Sequence, residues 1–242
     1  MTVTISGGSV VADGDYTVAT FTNDGTVTVT GNAVANVQYL LIAGGGRASL
    51  PDGTYVSGGG AGGVMTSNIT IAPGSYPVTI GAPGNNSSFM TMTTVGGGVG
   101  GWMGNGNPGG SGGGGGVQGT IHLRFNNFYG GAGTQGFAGG APFGGGYPGA
   151  GPGGGGGAGG AGGRGTDSVG GTGGAGIASN VTGNTVYYAA GGSAKGPGGI
   201  GASAPGFYNY GAGGGYSTDP DYQYGSRVNP QPGVLILRYP TA

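Results

Sequence analysis

Gly153-Gly154-Gly155-Gly156-Gly157-Ala158-Gly159-Gly160-Ala161-Gly162-Gly163 is the longest nearly pure glycine run in the chain. It carries no side chain larger than a methyl group. A helix there is opposed by about 1 kcal/mol per glycine, and a strand would have no side chain to pack. Fixing each residue's backbone costs roughly 1–2 kcal/mol, with glycine at the high end. Order must therefore come from the backbone itself. A threefold left-handed helix of the polyproline-II type has no internal hydrogen bonds, so every N–H and C=O is free to pair sideways. With glycine on all three faces, such rods approach closely enough for N–H···O and Cα–H···O contacts. The stretch predicts one straight rod of about 34 Å at ~3.1 Å per residue. Its alanines would point outward or pack between layers.

Similar blocks recur at 44–46, 58–63, 96–101, 109–116, 144–146, 170–176, 196–201 and 211–215, and 72 of the 242 residues are Gly. The blocks are short, poor in Ser and bounded by apolar residues, unlike a Gly/Ser linker. Collagen requires Gly at every third position, and the run 112–116 breaks that register. Only 5% of residues are charged and the net charge is −1. That excludes a charge-swollen disordered tail and a basic phosphate-binding stripe, so no nucleic acid is expected. The hydrophobic fraction of 35% is too low for a side-chain core spanning the whole length. Without cysteine there is neither a disulfide staple nor a thiolate metal site. No window approaches 18 consecutive apolar residues, which argues against membrane insertion.

The ends read differently. Residues 16–21 and 26–30 alternate with period two, and Asn23-Asp24-Gly25 between them predicts a β-hairpin. Residues 37–43 are nearly all apolar, as in a strand buried on both faces. Further strands are expected at 69–71, 76–80 and 234–239. The expected fold class is all-β and irregular, with almost no helix. A β-rich base occupies 1–43, a polyglycine-II sandwich with exposed aromatic loops occupies 44–232, and a C-terminal strand at 233–242 packs back on the base.

Residues 16–21, Gly25-Thr26-Val27-Thr28-Val29 and Tyr39-Leu40-Leu41-Ile42-Ala43-Gly44-Gly45-Gly46 together resemble the opening of a glycine-rich domain of bacteriophage tail proteins. Pro73-Gly74-Ser75-Tyr76-Pro77-Val78-Thr79-Ile80-Gly81-Ala82 and the closing Gly233-Val234-Leu235-Ile236-Leu237-Arg238-Tyr239-Pro240 are similar to further anchors of that family, in the same order. Arg47 departs from it by interrupting the first glycine run. The resemblance implies a virion protein similar to the tail-fibre tip adhesins of T-even-type phages. Those adhesins stack polyglycine-II helices and project loops that grip a cell-surface receptor. It also implies polysaccharide or outer-membrane protein as receptor and other fibre or tail proteins as partners, and it is compatible with a homotrimer. Synthesis in the host cytoplasm without a signal peptide is expected, because no basic segment followed by an apolar stretch opens the sequence. A glycine-rich region of anaplastic lymphoma kinase receptors has similar elements, but in secreted chains with cysteines. A head-fibre or capsid decoration protein with the same fold is the alternative. An ice-binding protein is a third reading; it would need a flat face with small side chains at strict three-residue spacing.

No enzyme, metal or cofactor is expected. The lone His122 has no nucleophile-elbow serine near it. Asp13/Asp15 and Asp219/Asp221 read as turn carboxylates, since calcium needs six to eight oxygen ligands. The sole lysine, Lys195, precedes Gly196, so no Walker sequence exists. What remains is 14 Tyr, seven Phe and one Trp, many lying between glycine blocks. Tyrosine gives large contact area at low entropic cost. The candidate receptor contacts are His122, Arg124, Phe125, Phe128 and Tyr129 in one segment. Phe207, Tyr208, Tyr210, Tyr216, Tyr222 and Tyr224 form the other.

Overall fold

Alternation in Thr26-Val27-Thr28-Val29-Thr30 puts Val27 and Val29 on one face, and both are buried. In the structure, a computed structural model that describes residues 2–50, 53–117, 128–144, 149–219 and 225–241, this face packs inside a β-sandwich. The strands are β1 (Thr2–Ser6), β2 (Ser9–Asp13), β3 (Tyr16–Phe21), β4 (Gly25–Thr30), β5 (Val34–Ile42), β6 (Val64–Ile71), β7 (Gly74–Thr79), β8 (Ser87–Phe89) and β9 (Met92–Thr94). Short strands follow as β10 (Ile177–Ser179), β11 (Val186–Tyr188), β12 (Lys195–Gly196), β13 (Gly199–Ile200), β14 (Gly215–Tyr216) and β15 (Arg227–Val228), before β16 (Val234–Pro240). One five-stranded sheet runs β1-β4-β7-β8-β9 and the other β2-β3-β16-β5-β6. No helix occurs among the described residues.

The C-terminal strand closes the base as expected. β16 lies between β3 and β5, antiparallel to both, with Leu237 opposite Ala19 on one side and Tyr39 on the other. The base also takes in β6 to β9, because the chain returns to it after the glycine segment 58–63.

The expected hairpin between β3 and β4 does not form. β3 pairs with β2 and β16, while β4 pairs with β1 and β7, so residues 22–24 carry the chain across the sandwich as an arch. Ala19 and Phe21 of β3 share one core with Val27 and Val29 of β4. Paired in one sheet, these strands would need another layer to cover them; in opposite sheets they cover each other. The Ile80 N–H donates to Asp24 Oδ1 at 2.8 Å and ties the arch down. The β1–β2 connection makes a second arch nested on the first. There Gly7, at φ +83°, allows an approach in which a Cβ would lie 2.6 Å from the Asp24 carbonyl oxygen.

Glycine segments pack as a bundle on this base. Along 58–63 the N–H groups donate in turn to Gly153, Gly214 and Gly98, then to Gly156, Gly211 and Val95. The partner segment repeats every third residue. The carbonyls of Gly58, Gly59 and Gly60 accept from Gly114, Gly192 and Gly46, which lie on three further segments. One rod thus has six neighbours, the threefold arrangement of packed polyglycine-II helices. Segment 153–158 does the same: its donors go to 112–115, 160–163 and 189–192, and its acceptors serve 58–61, 137–140 and Gly174. A Cβ at Gly58 or Gly155 would lie well inside van der Waals contact with the Gly192 or Gly59 carbonyl oxygen.

The predicted 34 Å rod at 153–163 is corrected. The chain reverses at 158–160, and Gly154 and Gly157 donate to Gly163 and Gly160 of its own return segment. The neighbouring segment 58–63 is only about 19 Å long at ~3.1 Å per residue. A straight run would overshoot such neighbours and leave backbone groups without partners.

Candidate functional site

The hydrogen-bond directions divide the connections between two ends. Residues 43–48 leave the base, and 58–63 return to it, antiparallel through Gly46 to Gly60 and Ala43 to Gly63. Residues 95–101 leave the base in the same sense, since Gly60 and Gly63 donate to Gly98 and Val95. The turns at 134–136, 158–160 and 206–210 therefore lie at the base end. Residues 48, 101, 117, 142 and 165 lie at the far end of their rods.

At the far end two loops are locked together. Gly106 N–H donates to the Tyr129 carbonyl at 2.9 Å, and Tyr129 N–H donates to Asn105 Oδ1 at 2.9 Å. Gly116 N–H donates to the Gly104 carbonyl at 2.9 Å. Between these fixed points Tyr129 is 62% exposed, Trp102 55% exposed, and Met103 is exposed at a left-handed φ of 50°. Phe128 beside them is half-buried. The loop that carries exposed Leu50 adjoins this pair, because Ser57 Oγ donates to the Gly101 carbonyl at 2.6 Å and Ser57 N–H to Ser49 Oγ at 3.0 Å. Large apolar side chains thus stand in water on a backbone that is itself fixed.

The described rings of the second expected segment are placed otherwise. Phe207 is 1% exposed and Tyr216 is 6% exposed, so both rings are closed to any partner. Phe207 packs against Tyr208 at 5.1 Å between ring centroids in the base-end turn, and Tyr216 lies under the Lys195 ammonium at 4.8 Å. Half-buried Tyr210 packs with Leu40, Ile42 and Tyr188 on the outer face of the base sheet. Burial raises the Tyr188 hydroxyl above its ordinary pKa, a hydrogen bond to Thr182 lowers it, and Tyr210 raises it again. Half-buried Tyr208 hydrogen-bonds Ser217 through its hydroxyl and lines a groove of about 470 Å³ with Asn209, Thr218 and Asp219. His122, Arg124, Phe125, Tyr222 and Tyr224 lie outside the described residues.

Tyr129 therefore belongs to the far end and Phe207 to the base end, while Tyr216 packs with Ala48 and Val56 where their rods leave the base end behind. Sequence reasoning passed over Trp102 and Met103 as candidates. In the structure Val95 directly follows β9, and seven residues of rod carry the chain to the opposite end. Among the described residues no group of three or more His, Cys, Asp or Glu side chains could hold a metal, and no helix is long and apolar enough to cross a membrane. No protein-family model matches the sequence, and no curated protein matches it.

Proposed function

We propose that this chain is a non-enzymatic bacteriophage virion protein of the tail fibre or tail tip. It would attach the particle to a bacterial surface through the loops at the far end of the glycine bundle. One observation carries the reading: Trp102, Met103 and Tyr129 stand exposed on neighbouring loops that are hydrogen-bonded to each other and to glycine rods. Exposed apolar groups clustered on a rigid support mark a binding surface. Their backbones are fixed beforehand, so little ordering entropy is lost on contact. Flat indole and phenol faces suit the C–H faces of a surface polysaccharide or an apolar patch on an outer-membrane protein. The resemblance to phage glycine-rich domains supplies the biological setting.

The test is binding of fluorescently labelled protein to a panel of bacterial strains. A Trp102→Ala/Tyr129→Ala double variant should melt like the parent protein and lose cell binding at least tenfold. Equal binding by parent and variant would refute the assignment of the site. Tight binding to phage capsids with none to cells would favour a decoration role instead.

A further inference from the structure

The strands β1 and β2 are consecutive, yet each forms the outer edge of a different sheet. Together they make one open side of the base sandwich. Neither carries Pro, Lys or Arg, the residues that commonly blunt a free edge. Val10 is 51% exposed and Val11 is 64% exposed. Val10 pairs with Ala19, an interior residue, so its side chain faces the core and is uncovered only because the sheet stops there. Val3 and Ile5 of β1 border the same core and are half-buried.

Each edge is complementary to itself when turned antiparallel. Centred on Val11, the sequence Ser9-Val10-Val11-Ala12-Asp13 places Val10 against Ala12 of a second copy and Ser9 against its Asp13. Centred on Thr4, the sequence Thr2-Val3-Thr4-Ile5-Ser6 places Val3 against Ile5 of a second copy and Thr2 against its Ser6. Apolar meets apolar, polar meets polar, and no like charges are opposed.

The two centres also coincide. Thr4 pairs with Thr28 in one sheet and Val11 with Val18 in the other. Counting back from the arch, Thr28 and Val18 stand at the same level, three strand positions in from Gly25 and from Phe21. A single twofold axis between Thr4 and Val11 therefore centres both pairings.

We propose that two copies of this chain associate through the β1–β2 edge, each sheet continuing into its counterpart across that twofold axis. The contact is only about 17 Å long for five residues at ~3.4 Å each, so the dimer is concentration-dependent. The inference does not depend on what the far loops bind.

The protein has no cysteine, which allows a direct test with single thiols. Directly opposed residues in antiparallel strands have Cα atoms about 4.5–5.5 Å apart, within the range of about 4.4–6.8 Å that a disulfide spans. Under mild oxidation Val11→Cys and Thr4→Cys should give covalent dimers. Val10→Cys and Val3→Cys should not, because each thiol would face Ala or Ile and lie a diagonal away from its counterpart. In sedimentation equilibrium the parent protein should approach twice 22.7 kDa as concentration rises. Val11→Lys, which opposes two ammonium groups at an exposed position, should remain at the monomer mass with an unchanged circular dichroism spectrum. Cross-linking at Val10 and Val3 as fast as at Val11 and Thr4 would overturn the register. A monomer or trimer mass at all concentrations would overturn the interface.

Discussion

Gly155→Ala adds one methyl group to a chain of 242 residues, and it should be among the most damaging small substitutions available. The new Cβ would be directed into the Gly59 carbonyl and the Gly60 nitrogen, which are backbone atoms and cannot swing aside. An ordinary C···O separation requires segments 153–158 and 58–63 to part by about 1 Å or more. That stretches the Gly58-to-Gly153 and Ala61-to-Gly156 hydrogen bonds, now 3.1 and 2.9 Å, beyond bonding range. Each buried pair left unsatisfied costs about 1–3 kcal/mol, giving about 2–6 kcal/mol for the two. In a domain of this size 1 kcal/mol moves Tm by about 2–4 °C, so Tm should fall by roughly 5–20 °C. The control is Gly53→Ala, where nothing lies within 4 Å of the added carbon. That change should be neutral or slightly stabilising through the unfolded chain. Thermal unfolding followed by circular dichroism reads both. If the two variants melt within about 2 °C of each other, close glycine packing is not what holds this protein together.

Other substitutions probe the base, the buried aromatics and the ionisable hydroxyls. Ser87 Oγ is buried, donates to the Ile42 carbonyl at 2.8 Å and accepts from Gly81 N–H at 2.9 Å. Ser87→Ala should therefore cost about 1–3 kcal/mol in denaturant unfolding, whereas an unchanged midpoint would remove this residue's role in tying β8 to the end of β5. Phe207→Ala should destabilise by about 3–5 kcal/mol as a core truncation, and Tyr129→Ala should leave stability within about 0.5 kcal/mol; equal effects would contradict their placement. Burial raises the hydroxyl pKa of Tyr188 and of Tyr239 in the folded state. Above the ordinary tyrosine pKa of about 10, the unfolded chain ionises while the folded one stays protonated, so the unfolded state binds fewer protons. Stability must then fall as pH rises through that value. A Tyr188→Phe/Tyr239→Phe variant should lose less stability between pH 9 and pH 11 than the parent, measured by urea midpoint.

How much of this was legible beforehand varies from element to element. The bundle was legible because glycine blocks with few charges leave the backbone as the only source of cohesion. The closing strand was legible because residues 234–239 are too apolar to lie anywhere but inside. The β3–β4 arch was not, since a hairpin and an arch use the same turn residues and the same alternation. Which sheet each strand joins is decided by partners distant in sequence, β16 for β3 and β7 for β4. Phe207 was misplaced for a related reason: an aromatic between two glycine blocks can sit at either end of a rod. Only the parity of reversals, including the turns at 134–136 and 158–160 inside what read as continuous glycine-rich sequence, tells the ends apart. Trp102 becomes a candidate once that parity is followed from Val95.

The glycine segments are the rigid interior of the protein and not linkers between loops. Amide hydrogen exchange read by mass spectrometry on fragments covering 58–63 and 153–157 measures that rigidity. These amides should be protected as well as those of β5 and β16, because each N–H donates to a carbonyl on a neighbouring segment. Exchange of those amides at the rate of an unstructured glycine peptide, with β5 and β16 still protected, would contradict it.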